Sequence, residues 1–371
     1  MGIPPPAPSA KPASLEELRQ AIDELDARIV ALLNERAQVA LRIGELKRQN
    51  SKQVYTPSRE NEVLRSAIQA NQGPLPEDAI RSVFREIMSA CIALQQPLKV
   101  AYLGPQSTFT HLAALAKFGS SVEYLPNRDI LGIFRSVATR MADLGVVPVE
   151  NSIDGGISDT LDAFMAYDLQ ICSELLVEVH HCLMGRNRLA EIKKIYSKPQ
   201  VFAQCGRWLS EHYPDADLMS VSSTTRACEV AREEESTAAI AHSVAAATYG
   251  LEVIHKNIED SAKNVTRFVV LSQESCRPSG RDKTSMVLSV AHRSGALYEA
   301  LAPFRDHSIN LTRIESRPSK RNPWEYYFFV DFEGHKDDEA VARTLKEIHA
   351  ACIYLQILGS YPVADTTVPI D

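Results

Sequence analysis

A basic surplus, paired cysteines and long apolar runs are all missing from this chain of 371 residues. Its 40 lysines and arginines face 47 aspartates and glutamates, a net charge of −7, whereas a nucleic-acid surface usually shows as a basic excess. Seven cysteines, odd in number and without a Cys-x-x-Cys pair, suit free thiols in a reducing compartment better than a disulfide frame or a zinc site. No stretch reaches the roughly 18 apolar residues of a membrane-spanning helix. The opening Met1-Gly-Ile-Pro-Pro-Pro-Ala-Pro8 lacks the charged and apolar segments of a secretory leader, so a cytoplasmic protein is expected. Neither a Gly-x-Gly-x-x-Gly after a strand nor a Gly-Lys-Ser/Thr loop occurs, and no nucleotide or nicotinamide cofactor is expected. His180 and His181 would point to opposite faces of a strand with no third ligand at useful spacing, so no metal is expected either.

What is present is 45% hydrophobic and 23% charged, enough for two or three globular domains. Residues 1–13, rich in proline, alanine and serine, read as a disordered tail. From Ser14 the apolar residues Leu15, Leu18, Ile22, Leu25, Ile29, Leu32 and Leu33 recur at helical spacing, and no proline interrupts the chain to about Gln49. Ser14 with Glu17 three residues on is a capping-box pattern that fixes the start. Two more helices, about Ser58 to Asn71 and Pro76 to Gln96, complete a helical unit over 14–96. Its first helix would exceed about 50 Å at about 1.5 Å per residue, too long for so thin a core, and predicts an intertwined homodimer or higher homo-oligomer.

At Pro97 the period changes. Strands at Leu98–Leu103, Leu144–Val149, Ile192–Ser197, Ala238–Ala241 and Phe268–Leu271 alternate with helices, which predicts parallel α/β layers in a bilobed domain over 97–275. After the polar linker Glu274–Lys283, the remainder of 276–371 reads strand, helix, strand, strand (Trp324–Phe332), helix, strand, the ferredoxin-like α+β plan.

Two stretches place small polar side chains where apolar runs end, Pro148-Val-Glu-Asn-Ser-Ile-Asp-Gly155 and Ile258-Glu-Asp-Ser-Ala-Lys-Asn-Val-Thr-Arg-Phe268, as two walls of one pocket would. The turns at Ser107-Thr108, Gly155-Gly156 and Ser222-Ser223-Thr224 precede helices; each serves either as a simple N-cap or as a cradle of free N–H groups for a dicarboxylate. On the first helix Arg36 and Lys47 share a face, while Arg19 lies about 100° round and is better placed for a partner chain's ligand.

These stretches resemble the catalytic core of prephenate dehydratases, a bilobed, periplasmic-binding-protein-like α/β fold. Residues 14–96 resemble the all-helical chorismate mutases through Arg19, Glu35-Arg36, Gly44, Lys47, Arg59-Glu60 and Gln95. His292-Arg-Ser-Gly-Ala-Leu297, Ile314-Glu-Ser-Arg-Pro318 and Leu358-Gly-Ser-Tyr-Pro362 resemble the amino-acid-sensing ACT domain. The resemblance implies chorismate and prephenate as substrates, phenylalanine as feedback effector and no cofactor. It implies that Arg36 and a partner's Arg19 hold chorismate's carboxylates, that Lys47 and Gln95 stabilise charge on the ether oxygen, and that Glu60 takes the ring hydroxyl with Arg59 nearby. In the dehydratase it implies Thr266 at the departing hydroxyl and Phe268 as apolar wall. Thr108, Glu150, Asn151, Ser197, Gln204, Ser223, Thr224, Asn264 and Arg267 would hold polar groups. In the ACT domain Gly295, Ala296 and Leu297 with Glu315, Ser316, Arg317 and Pro318 would form the effector loops. The sequence departs from the family patterns at Thr56, Cys91, Ser107, Lys198, Ser222 and Ser294. A ligand sensor without catalysis would share the bilobed and ACT parts, but it would have no use for the Arg36, Lys47, Gln95 and Thr266 set.

Overall fold

The computed structural model describes residues 14–49, 55–187, 191–261, 263–319, 325–364 and 366–368; the expected tail at 1–13 and the expected strand start at Trp324 lie outside them. Helices α1 (Leu15–Gln49), α2 (Pro57–Ala70) and α3 (Glu77–Gln95) form the N-terminal unit. The capping box closes at the start of α1: Ser14 N donates to Glu17 Oε2 at 2.7 Å, and Glu17 N to Ser14 Oγ at 3.2 Å. Along the first half of α1, Leu18, Ile22, Leu25, Ile29 and Leu32 stay more than half exposed, an apolar face that the other described residues do not cover.

The next unit runs β1 (Lys99–Leu103), α4 (Phe109–Phe118), β2 (Glu123–Asn127), α5 (Ile130–Ala138), β3 (Leu144–Asn151), β4 (Gly155–Gly156), α6 (Ser158–Phe164) and β5 (Gln170–Glu178). The chain then crosses to a second lobe: β6 (Cys182–Gly185), β7 (Lys194–Ser197), α7 (Pro199–Gln204), α8 (Gly206–His212), β8 (Asp217–Ser220), α9 (Thr224–Glu233), β9 (Thr237–Ala241), α10 (Ser243–Tyr249) and β10 (Glu252–His255). It returns as β11 (Val265–Ser272). The third unit is β12 (Asp282–Ser289), α11 (Ala296–Asp306), β13 (Leu311–Pro318), β14 (Tyr326–Glu333), α12 (Glu339–Ala351) and β15 (Tyr354–Pro362), followed by β16 (Thr367–Val368).

Parallel layers hold only in part. β1 pairs in parallel with β2 and β3, and β7 with β8 and β9, but β11 runs antiparallel between β3 and β5. The physical reason is the double crossing: a strand that returns from the second lobe enters the first sheet from the opposite end. The third unit has the expected βαββαβ succession, and its four strands lie in the order β13-β14-β12-β15, all antiparallel. The short β16 rejoins the first sheet beside β5, so residues beyond 275 complete the dehydratase-like unit.

The first sheet is buried on both faces, as its near-continuous apolar strands require. On one face Val100, Tyr102, Val146, Phe268 and Val270 pack under α4. On the other, Val147, Val149, Ile171, Val269 and Leu271 share a core with Val287, Phe329, Leu358 and Tyr361 of the third unit. Gly359, at φ +153°, is where the two sheets meet: a Cβ there would lie 2.2 Å from Ile171 O.

Candidate active sites

Between the two lobes lies a cavity of about 820 Å³. Its walls include the turn after β1 with Thr108, the ends of β3 and β11 with Asn151, Thr266 and Phe268, and Gln204, Ser223 and Thr224 from the second lobe. Strand register brings the two sequence stretches together, because Asn151 is the ladder partner of Thr266. Asn151 Nδ2 donates to Thr266 Oγ1 at 2.9 Å and to Asn264 Oδ1 at 2.8 Å, while its Oδ1 accepts from Ile153 N and Asp154 N. The Thr266 oxygen therefore accepts within the protein and keeps its own proton for something else. Asn264 is buried behind the wall and donates Nδ2 to Gln204 Oε1 at 3.1 Å. Gln204 spans the lobes, giving Nε2 to Asp154 Oδ2 at 2.9 Å.

Three expected substrate contacts are corrected. Ser197 is fully buried and its hydroxyl donates to Ile240 O at 2.8 Å, closing the second lobe's core instead of facing the cavity. Glu150 and Arg267 face the other side of the sheet, since strand neighbours alternate and Asn151, Thr266 and Phe268 occupy the cavity face. Arg267 meets Glu174, Asp331 and Tyr361, and Glu150 lies 3.3 Å from Arg313.

The turns divide between the two readings given above. Thr108 caps α4 by accepting from His111 N, and Ser223 caps α9 by accepting from Arg226 N; both also line the cavity. Gly155 and Gly156 provide no cap for α6. Arg128 and Lys198 are cavity cations absent from the expected set, and His181 is a further wall residue. The signal for Lys198 was its departure from the family pattern; Arg128 carries none. His181 Nε2 is 2.8 Å from Gln204 Oε1, and burial pushes its pKa down, so it stands neutral near pH 7. Among the described residues no group of three or more His, Cys, Asp or Glu is placed to hold a metal ion.

In the helical unit α1 and α3 touch at Gly44, where a Cβ would come 2.8 Å from Gln95 Cγ. This contact gathers Arg36, whose Nη1 donates to Cys91 Sγ at 2.9 Å, and Gln95, whose Nε2 donates to Cys91 O at 3.2 Å. Lys47 lies on the same helix face, and burial lowers its pKa. Arg19 is exposed about 25 Å up the helix from Arg36, beyond reach of one ligand within one chain. Two expected members are engaged elsewhere. Glu60 Oε2 takes Tyr55 Oη at 2.8 Å and Lys117 Nζ of α4 at 2.9 Å, and Arg59 pairs with Glu62 on the surface.

In the third unit Gly295 sits at φ +81° at the head of α11 with no side-chain cap, leaving Ala296 and Leu297 as the first helical residues. β13 alternates between faces. Ser316 and Pro318 are exposed, whereas Glu315 pairs with Arg313 and lies against Gly156, and Arg317 donates to Ser158 Oγ at 2.7 Å and reaches Asp162 Oδ1 at 3.1 Å. Two of the four expected effector residues on β13 thus grip the dehydratase-like unit of their own chain.

Three family models match in succession: chorismate mutase type II over residues 18–96, prephenate dehydratase over 100–276 and the ACT domain over 284–350. A bifunctional chorismate mutase/prephenate dehydratase of Aquifex aeolicus is 45% identical over 94% of this chain and 98% of its own length. One of the same description from Pseudomonas aeruginosa is 43% identical over 94% and 98%. Among solved structures, a prephenate dehydratase from Arthrobacter aurescens in complex with L-Phe superposes with a TM-score of 0.67 at 34% identity, over 74% of this chain and 93% of that one.

Proposed function

Since the chain belongs to the bifunctional chorismate mutase/prephenate dehydratases, we propose a division of its residues between two reactions. The enzyme rearranges chorismate to prephenate and converts prephenate to phenylpyruvate, and its ACT domain makes it subject to feedback by phenylalanine.

The first reaction is pericyclic and needs no acid, base or nucleophile, only a charged cage that favours the compact, polarised transition state. Arg36, Lys47 and Gln95 of one chain with Arg19 of a second copy form that cage. The bare apolar face along α1 and the distance from Arg19 to Arg36 support a homodimer with shared sites. Glu60, held by Tyr55 and Lys117, joins the mutase unit to the dehydratase unit.

In the second reaction the bond from C1 to the carboxylate breaks and its electron pair enters the ring. The C4 hydroxyl leaves with a proton as water, and carbon dioxide and the aromatic product result. The observation that carries this reading is the hydrogen bond from Asn151 to Thr266, because it leaves the Thr266 proton free to be offered to the departing hydroxyl. Threonine is a weak acid, so Thr266 relays or orients a proton that solvent replaces. Phe268 and Pro148 wall the ring, and Arg128 and Lys198 are the cations suited to the two carboxylates. Phenylalanine would bind at Gly295–Leu297 and the exposed side of Glu315–Pro318.

Ultraviolet detection of phenylpyruvate formed from chorismate tests the pair. Thr266→Ala should halt the sequence at prephenate. Arg36→Ala should abolish prephenate formation yet turn over supplied prephenate. Loss of both activities in either folded variant would overturn the two-site assignment.

A further inference from the structure

Strand β11 carries cavity residues on one face and a charge on the other. Between Thr266 and Phe268, Arg267 turns into the core shared with the ACT domain, and all three guanidinium nitrogens are engaged there. Nε donates to Glu174 Oε2 at 2.7 Å, Nη1 to Asp331 Oδ2 at 2.5 Å and Nη2 to Tyr361 Oη at 2.7 Å. Only Glu174 belongs to the dehydratase sheet; Asp331 is on β14 and Tyr361 on β15. Ser285 of β12 locks the last two together, at 2.5 Å from Asp331 Oδ1 and 2.5 Å from Tyr361 Oη.

The neighbouring strand repeats the arrangement. Glu150 is the ladder partner of Arg267 and Asn151 that of Thr266, and the register slips between Arg267 and Phe268, leaving Val149 as the extra residue. A bulge of this kind re-aims nearby side chains and is a point where a strand pair bends. Glu150 Oε2 lies 3.3 Å from Arg313 Nε and 3.7 Å from Arg267 Nη1. Each partner of the Asn151–Thr266 hydrogen bond therefore has, as its immediate chain neighbour, a charged side chain anchored in the ACT domain.

We propose that Arg267 is a positioning residue for Thr266: the ACT domain, holding the guanidinium through Asp331 and Tyr361, sets the tilt of the β3–β11 pair and so the aim of the Thr266 hydroxyl. This rests on Thr266 acting at the leaving hydroxyl. Its consequence is that the dehydratase pocket is correctly shaped only while the ACT sheet sits in one place against it. Misplacement of a reacting group by about 1 Å can cost on the order of a hundredfold in rate.

The test uses the full-length protein with Tyr361→Phe, which removes one hydroxyl, and Asp331→Asn, two ACT substitutions outside the cavity. Dehydratase kcat should fall about tenfold or more with KM changed less than about twofold, while mutase turnover of the same chain stays level. In a Thr266→Ala background the same substitutions should lower the residual kcat no further, since groups acting as a unit are not additive. An unchanged kcat in Tyr361→Phe, or an equal fall in both backgrounds, would show that the network only joins the domains and would overturn the proposal. If Thr266→Ala itself keeps full dehydratase activity, the reading of Thr266 fails first and takes the proposal with it. That outcome is told apart by the single variant.

Discussion

Gly359→Ala should separate the dehydratase and ACT sheets without placing an atom in either active site. The added Cβ would sit 2.2 Å from Ile171 O, 2.7 Å from Ile171 N and 2.9 Å from Ile171 C, all backbone atoms of β5. β5 is hydrogen-bonded to β11 on one side and β16 on the other, so no side-chain rotation relieves the clash. Overpacking of this kind costs about 1–3 kcal/mol, and a side chain in a glycine-only backbone region adds on the order of 1–3 kcal/mol. The expected total of about 2–6 kcal/mol translates to roughly 2–4 °C per kcal/mol for a unit of this size. Calorimetry on the full chain should show the dehydratase–ACT transition lowered by about 4–24 °C, with prephenate turnover both reduced and less responsive to phenylalanine and mutase activity retained. Gly250→Ala is the control, because its φ of +65° is matched by open space around the Cβ position; strain alone should cost it only about 1–2 kcal/mol. A Gly359→Ala melting temperature within 1 °C of wild type, or a shift no larger than the control's, would refute the close sheet contact as a source of stability.

Mixing Arg19→Ala chains with Arg36→Ala chains should restore part of the mutase activity that each lacks, because a mixed dimer rebuilds one whole site from the unmutated residues. Verified heterodimers without rescue would rule out a shared site. The bond from His180 Nδ1 to Glu259 Oε1 at 2.7 Å raises the His180 pKa above its ordinary value of about 6.5. A raised folded pKa gives stabilisation that is fully present below the unfolded pKa and lost as pH climbs through the folded one. The melting temperature lost in His180→Gln should therefore be larger at pH 6 than at pH 9, and a pH-independent loss would contradict this origin.

Local signals were legible in the sequence, and signals depending on distant pairing were not. The capping box at Ser14 and Glu17 and the βαββαβ order are written in short spans, and both stand. The pairing of Asn151 with Thr266 was suggested by two polar stretches of matching character. That Thr266 and Phe268 share a face and Arg267 opposes them follows from the period of a strand, yet nothing local says which face borders the cavity. With an ACT sheet on the far side, a buried arginine there looks like a ligand-binding one until its partners Glu174, Asp331 and Tyr361 are known. Ser197 misleads for a similar reason: a hydroxyl at a strand end suits either a pocket or a backbone carbonyl, and here Ile240 takes it. The antiparallel return of β11 depends on the route through the second lobe, which no window of sequence contains.

The short strand β16 has a consequence for how the protein is made. Thr367 hydrogen-bonds Glu178 across 189 residues of chain, and the strands of the first sheet are otherwise complete at Ser272. During synthesis at about 5–20 residues per second, the outer edge of β5 stays open for several seconds after its sheet has otherwise been assembled. An unpaired edge is a template for another chain, and two nascent copies on one messenger would present it side by side. In the proposed homodimer the apolar half of α1, emerging earlier, would offer a competing and productive contact. Early pairing through the helices would hold neighbouring chains in register while each waits for its last strand.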